Sequence, residues 1–143
     1  MTQDINAAVT YLQTICARIA GMRQAPAAPT EQGQFPFAVS YVSGLNSSTQ
    51  RSHGLQTNLY EITTEIHVAR KDLPRDYASI SAFAVLFPSA LWGDLNSNNA
   101  ALGGYVDTIN DLSGSLQPSN WGGVDTLAWT FRIGVKVMSQ WTT

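Results

Sequence analysis

Between Leu55 and Arg70 the chain alternates strictly. Tyr60, Ile62, Thr64, Ile66 and Val68 fall on one side of an extended backbone, and Glu61, Thr63, Glu65 and His67 fall on the other. Successive strand side chains point to opposite faces, so such a run specifies a β-strand buried on one face only. The same period returns between Val124 and Trp141. There Leu127, Trp129, Phe131, Ile133, Val135 and Val137 alternate with Ala128, Thr130, Arg132, Gly134 and Lys136. Two long one-sided strands need a covering layer over their apolar face, and this constrains every other segment.

Helices are the predicted cover. From Asp4 to about Ala20 the apolar residues Ile5, Val9, Leu12, Cys16 and Ile19 recur at three- and four-residue steps, and Ala8 and Ile15 widen the stripe. Thr2 or Asp4 serves as cap and Gly21 as the stop, while Thr10, Gln13, Thr14 and Arg18 take the opposite face. Gln24 to Gln34, with Pro26 and Pro29, reads as an ordered crossing. Phe35 to Val42 reads as a strand with Phe35, Phe37, Val39 and Tyr41 on one face. Gly44 to Gly54 is polar and glycine-bounded, and reads as a long exposed loop. Asp72-Leu-Pro74 opens a second helix that runs to about Phe87 on the face of Tyr77, Ile80, Phe83, Ala84 and Phe87. Pro88 ends or kinks it, with one further turn at Ser89 to Trp92. Gly93 to Gly104 reads as a loop, Tyr105 to Leu112 as a strand, and Ser113 to Gly123 as turns. The expected fold is α+β in one domain over residues 1–143: a mostly antiparallel sheet with two helices on one face, in the order α-β-β-α-β-β.

Only 13% of the 143 residues are charged, against 44% hydrophobic. Neutral amides and hydroxyls cost less to desolvate than ions, so a surface rich in Ser, Thr, Asn and Gln suits a subunit that buries its exterior in an assembly, and equally a monomer with a low-charge surface. The 8 basic and 10 acidic residues give a net charge of −2 and form no basic stripe, which argues against sequence-specific nucleic-acid binding. Cys16 is the sole cysteine, so no internal disulfide forms, and its apolar setting predicts a buried, inert thiol. The N-terminal MTQDINAAV lacks the basic-then-apolar pattern of a secretory signal, and no stretch is expected to span a membrane. Folding in a cytoplasm is the expectation.

Catalytic patterns are sparse. His53 falls in the predicted loop and His67 on the polar side of a strand; Glu65 and His67 share that side, which reads as a surface pair rather than a metal site. Glu61 and Glu65 also share it. The Gly103-Gly104 and Gly122-Gly123 pairs lack the Lys-Ser/Thr of a phosphate loop, and no Gly-x-Ser-x-Gly elbow occurs. No catalytic residue, cofactor site or metal site is predicted, and replacing either histidine by alanine is expected to leave the fold intact. Trp129 belongs to the core stripe, and Trp121 is expected to seal a turn. The candidate assembly residues are Asn46, Ser47, Ser48, Thr49, Gln50, Arg51 and His53 in the loop, Trp92 and Trp141 as interface anchors, and Glu61, Glu65 and His67 as an interfacial strand face.

The opening helix INAAVTYLQTICARIAGM, the strand pair QFPFAVSYV and LQTNLYEITTEIHVAR, the junction VARKDLPRDYASISAF and the last strand TLAWTFRIGVKV span nearly the whole chain. In order and texture this layout resembles the tail terminator (tail completion) proteins of long-tailed bacteriophages. The resemblance implies a virion structural protein without catalysis or cofactor. It implies a ring of copies of the chain, a hexamer, at the head-proximal end of the tail tube, with the tail tube protein and a head-completion or neck protein as partners. DNA would pass through the lumen without sequence recognition, and no membrane is involved. Another neck or tail component, a head-completion protein or a tube subunit, fits the same layout. A small-molecule binding domain would need polar groups converging inward, whereas the predicted inward faces are almost wholly apolar. A secreted toxin-like or adhesin module is disfavoured by the missing signal and disulfides. Replacing Asn46–His53 with a short Gly-Ser turn is expected to leave circular dichroism unchanged while abolishing ring formation and tail capping. Normal rings from that variant would exclude the loop as an assembly element.

Overall fold

The computed structural model describes residues 3–25, 35–49, 55–70 and 73–140. In chain order these form α1 (Ile5–Ala17), β1 (Phe37–Thr49), β2 (Leu55–Ala69), α2 (Leu73–Ser81), α3 (Phe83–Asn98), a 3-10 turn at Ala101–Gly104, β3 (Thr108–Trp121) and β4 (Val124–Gln140). The strands make one antiparallel sheet in the order β1-β2-β4-β3, with the helices on one face, so the fold is α+β in the order α-β-β-α-β-β. Asp4 caps α1 by accepting from the Asn6 backbone N–H at 2.9 Å.

The two alternating strands read from sequence lie side by side at the centre. Ile62 pairs with Ile133 and Ile66 with Trp129, so their apolar sides coincide. Phe131 is the hub. Its ring stacks on Phe87 of α3 (centroids 4.5 Å, interplanar angle 8°) and on Trp129 (5.6 Å, 17°). The Trp129 indole N–H donates to the Ile80 carbonyl at 2.9 Å and ties β4 to α2. Across β3, Gly114 leaves room for the same ring, because a Cβ there would lie 2.8 Å from Phe131. Leu12, Ile62, Ile66, Ile133 and the Cys16 thiol are buried in this cluster. Burial pushes the Cys16 thiol up to about 12.

Several sequence expectations differ from the structure. First, the apolar set of β1 does not face the helices: Phe37, Val39 and Tyr41 pair with His67, Glu65 and Thr63 on the opposite side. Periodicity says which residues share a face, not which face is covered. The helix side of β1 is therefore polar at Ser40, which pairs with Thr64. Gln13, read as exposed, is buried to meet it. Its amide donates to the Ala38 carbonyl (2.9 Å), the Ser40 hydroxyl donates to its carbonyl oxygen (2.6 Å), and Ser40 and Thr64 bond at 2.8 Å.

Second, the segment read as turns, Ser113–Gly123, is mostly strand. β3 pairs with β4 along its length and has no strand on its other side among the described residues, and such an edge strand accommodates Pro118. Third, Pro88 does not end a helix. α3 runs through it to Asn98, held by the buried Phe83, Phe87 and Leu91, and stops at Asn99 in the left-handed conformation (φ 50°). Fourth, Arg75–Asn98 is by length and composition long and apolar enough to cross a membrane. That stretch divides into α2 and α3 and packs Ile80, Phe83, Phe87 and Leu91 into the core.

Phe131→Ala is expected to cost about 3–5 kcal/mol, as large-to-small core changes do. Arg132→Ala, on the other face, is expected to stay within about 0.5 kcal/mol. Equal shifts of the urea midpoint for the two variants would contradict the register of β4.

Candidate assembly surface

The sheet face turned away from the helices is built from rungs that run across all four strands. Phe37, His67, Ala128 and Gln117 form one, Val39, Glu65, Thr130 and Ser115 the next, and Tyr41, Thr63, Arg132 and Ser113 the third. At the end of the sheet where β1 begins, this face carries an aromatic cluster. The His67 imidazole lies flat on Phe37 (5.0 Å, 12°), and Trp121 meets both rings at 5.7 and 5.2 Å. Phe35 adds its ring at 5.2 Å from Phe37. Trp121 is the last residue of β3, and the turn after it uses positive φ at Gly122 (60°) and Gly123 (83°).

A hydrogen-bonded chain leads from this cluster to the middle of the face. Thr126 bonds His67 Nδ1 at 2.9 Å, His67 Nε2 bonds Glu65 Oε1 at 3.0 Å, and the Tyr41 hydroxyl donates to Glu65 Oε2 at 2.5 Å. A neutral ring with its proton on Nε2 satisfies both imidazole contacts, donating to the carboxylate and accepting from the threonine hydroxyl. The His67 bond, which outweighs the opposing effect of burial, and the Tyr41 bond hold the Glu65 carboxyl below its usual range. Burial, and then the Glu65 carboxylate, push the Tyr41 hydroxyl up to about 12. Further along, Ser43 donates to the Glu61 carboxylate at 2.9 Å and accepts from Thr63 at 2.6 Å.

Two shallow concavities lie along this face. One, of about 360 Å³, is bordered by Tyr41, Ser43, Glu65, Gln117, Thr130 and Arg132. The other, of about 410 Å³, lies toward the tip of the β1–β2 hairpin and is bordered by Leu45, Leu59, Glu61, Asp111 and Arg132. A bulge between Ile109 and Asp111 lets the Asp111 carboxylate accept from the Gly134 N–H at 3.0 Å, where a Cβ on Gly134 would collide with it. Both concavities open broadly to solvent and hold hydroxyls, amides and carboxylates in place. Neither brings a nucleophile against a base: His67 is fully buried, and its partners fix the ring. Among the described residues no three His, Cys, Asp or Glu side chains gather as metal ligands.

The residues singled out in the sequence divide sharply. Glu61, Glu65 and His67 do share the face away from the helices, but only Glu61 is exposed. Glu65 is half-buried and His67 is buried beneath Phe37 and Trp121, not part of a surface pair. Asn46, Ser47, Ser48 and Thr49 are not loop; they continue β1 and pair with Leu59, Asn58, Thr57 and Gln56. A Gly-Ser replacement there would remove paired rungs as well as a tip. Gln50, Arg51, His53 and Trp141 lie outside the described residues. Trp92 is half-buried on α3. Tyr41, Thr126 and Arg132 were not singled out, although Arg132 stands across the ladder from Thr63 and could have been found from strand pairing.

No protein-family model matches the chain, and no curated protein matches it.

The expectation that His67→Ala leaves the fold intact is revised, because the change strands the Glu65 and Thr126 partners. It is expected to cost about 1–3 kcal/mol. For Glu65, a folded pKa below the ordinary 4.5 means that its contribution is fully present above 4.5 and is lost as pH falls through the folded value. Glu65→Gln should therefore lower the urea midpoint at pH 7 and flatten its fall between pH 5 and 3. An unchanged acid limb would show that the Glu65 linkage is absent.

Proposed function

We propose that the chain is a virion structural subunit that forms a ring at the head-proximal end of a phage tail tube. There it ends tube polymerisation and offers the surface to which the head joins. The observation that supports this reading most is the one-sided sheet. Its helix-covered face makes a complete core, while its other face, beyond the aromatic cluster, is an open expanse of ordered polar side chains without the geometry of a catalytic site. Toward the tip, within two rungs of the buried Asn58 and Val137, the β1–β2 hairpin carries Leu45 and Leu59 at 60% and 43% exposure. Both outer strands lack a further strand among the described residues, apart from one bridge between Gln24 and Phe37. Surfaces of this kind suit head-to-tail contacts between copies, and such contacts close into rings when the rotation allows. In this reading DNA passes the ring without base recognition.

The test is to add purified protein to polymerising tail tubes and measure tube length by electron microscopy. Tubes of limited length carrying a ring at one end are expected. Tubes as long with the protein as without it would refute the reading, and long tubes grown from this chain alone would assign it to the tube itself.

A further inference from the structure

The exposed charges sort along the long axis of the sheet. At the end where β2 finishes and β4 begins stand Arg23, Arg70 and Arg75. Arg23 is placed by its backbone bond to Pro36, Arg70 by its backbone bond to Asp125, and Arg75 by the first turn of α2. All three are exposed, and none makes an ion pair among the described residues. Toward the other end stand Asp4, Glu61, Asp107 and Asp111, also exposed. Glu61 and Asp111 sit at the level of Gly134. Asp107 sits at the level of Lys136, and Asp4 bonds the backbone of nearby Tyr105. The exceptions are Asp125 at the basic end, which accepts from Asn120, Lys136 at the acidic end, 4.0 Å from Asp107, and the exposed Arg132, which borders the same concavity as Glu61 and Asp111.

The step from Val124 to Lys136 is about 40 Å at the rise of a strand. That is several times the roughly 8 Å over which salt at physiological strength screens exposed charges. The two ends of one copy therefore do not neutralise each other, whereas opposite ends of two copies attract on contact. Each end also offers apolar surface beside its charge: Val124, with the half-buried Phe35 and Trp121, at the basic end, and Leu45 and Leu59 in the concavity at the acidic end.

We infer that the occupant of the acidic concavity around Glu61 is the basic end, Arg70 and Arg75, of a second copy of this chain. The contact is heterologous, with each copy using its two different ends, so it propagates from copy to copy. The inference deepens the proposed ring by naming the surfaces that join its subunits.

Two double variants test it: Arg70→Glu with Arg75→Glu, and Glu61→Lys with Asp107→Lys. Circular dichroism establishes that both fold, and light scattering at low ionic strength reads the mass. Wild-type oligomers are expected to give way to monomers in either variant alone, with at least a tenfold loss of association. Mixed in equal amounts, the variants should regain oligomers, because a copy acidic at both ends alternates with a copy basic at both ends. Rescue by mixing cannot come from a merely structural defect. A wild type that stays monomeric, a variant that associates as wild type does, or a mixture that stays monomeric would each overturn the inference. The tube-length measurement separates this from the broader reading, since a protein that still caps tubes keeps that reading even if these surfaces are wrong.

Discussion

Everything in this fold depends on the pairing of β2 with β4. The ladder runs from Leu55 with Gln140 to Ala69 with Thr126 and puts two independently alternating strands in a register where both apolar sides coincide. A slip by one residue would turn Phe131 and Ile133 toward Glu61 and Glu65 and destroy the core. Because that ladder is central, β1 and β3 only extend it. Their own sequences can be poor in strand formers, as β3 is, provided the pairing with a strong neighbour and half-burial of Leu112 and Leu116 hold them.

The sheet uses polar groups on both faces, in different ways. On the helix side, Gln13, Ser40 and Thr64 bond in series and end on the Ala38 carbonyl, so a polar rung enters the core with its groups paired. On the other side, Thr126, His67, Glu65 and Tyr41 cross from β4 through β2 to β1. The His67 ring reaches that position because Phe37 and Trp121 exclude water around it. A histidine and a glutamate two residues apart resemble the beginnings of a catalytic pair. Here the imidazole has both nitrogens engaged and no open surface, so the pair sets the geometry of the face instead. Further along the face, Ser43, Glu61 and Asp111 bond within the sheet and stay exposed to solvent.

A low total charge makes the placement of each charge matter. With few exposed ions, Arg70 and Arg75 at one end and Glu61 and Asp107 at the other give the molecule a direction along the sheet. Apolar Leu45, Leu59 and Val124 lie at the same two ends. Directional charge beside apolar area favours contacts with a fixed orientation, which is what an ordered assembly of copies requires.

The sequence by itself determined the element order, the burial side of β2 and β4, the capping of α1 by Asp4 and the inert setting of Cys16, because each follows from local periodicity or local chemistry. Tertiary structure alone decided the side on which Phe37 and Val39 are buried, since a strand's period is the same whichever face is covered. It decided the burial of Gln13, which answers a polar rung twenty-seven residues away at Ser40. It decided the helix through Pro88, because the burial of Phe87 and Leu91 outweighs one lost backbone bond. It turned the polar segment after Ser113 into a strand by offering it the edge of β4. And it moved His67 from a presumed surface to the centre of a cluster, because Trp121 comes from a hairpin more than fifty residues away in the chain. No local pattern contains that distance.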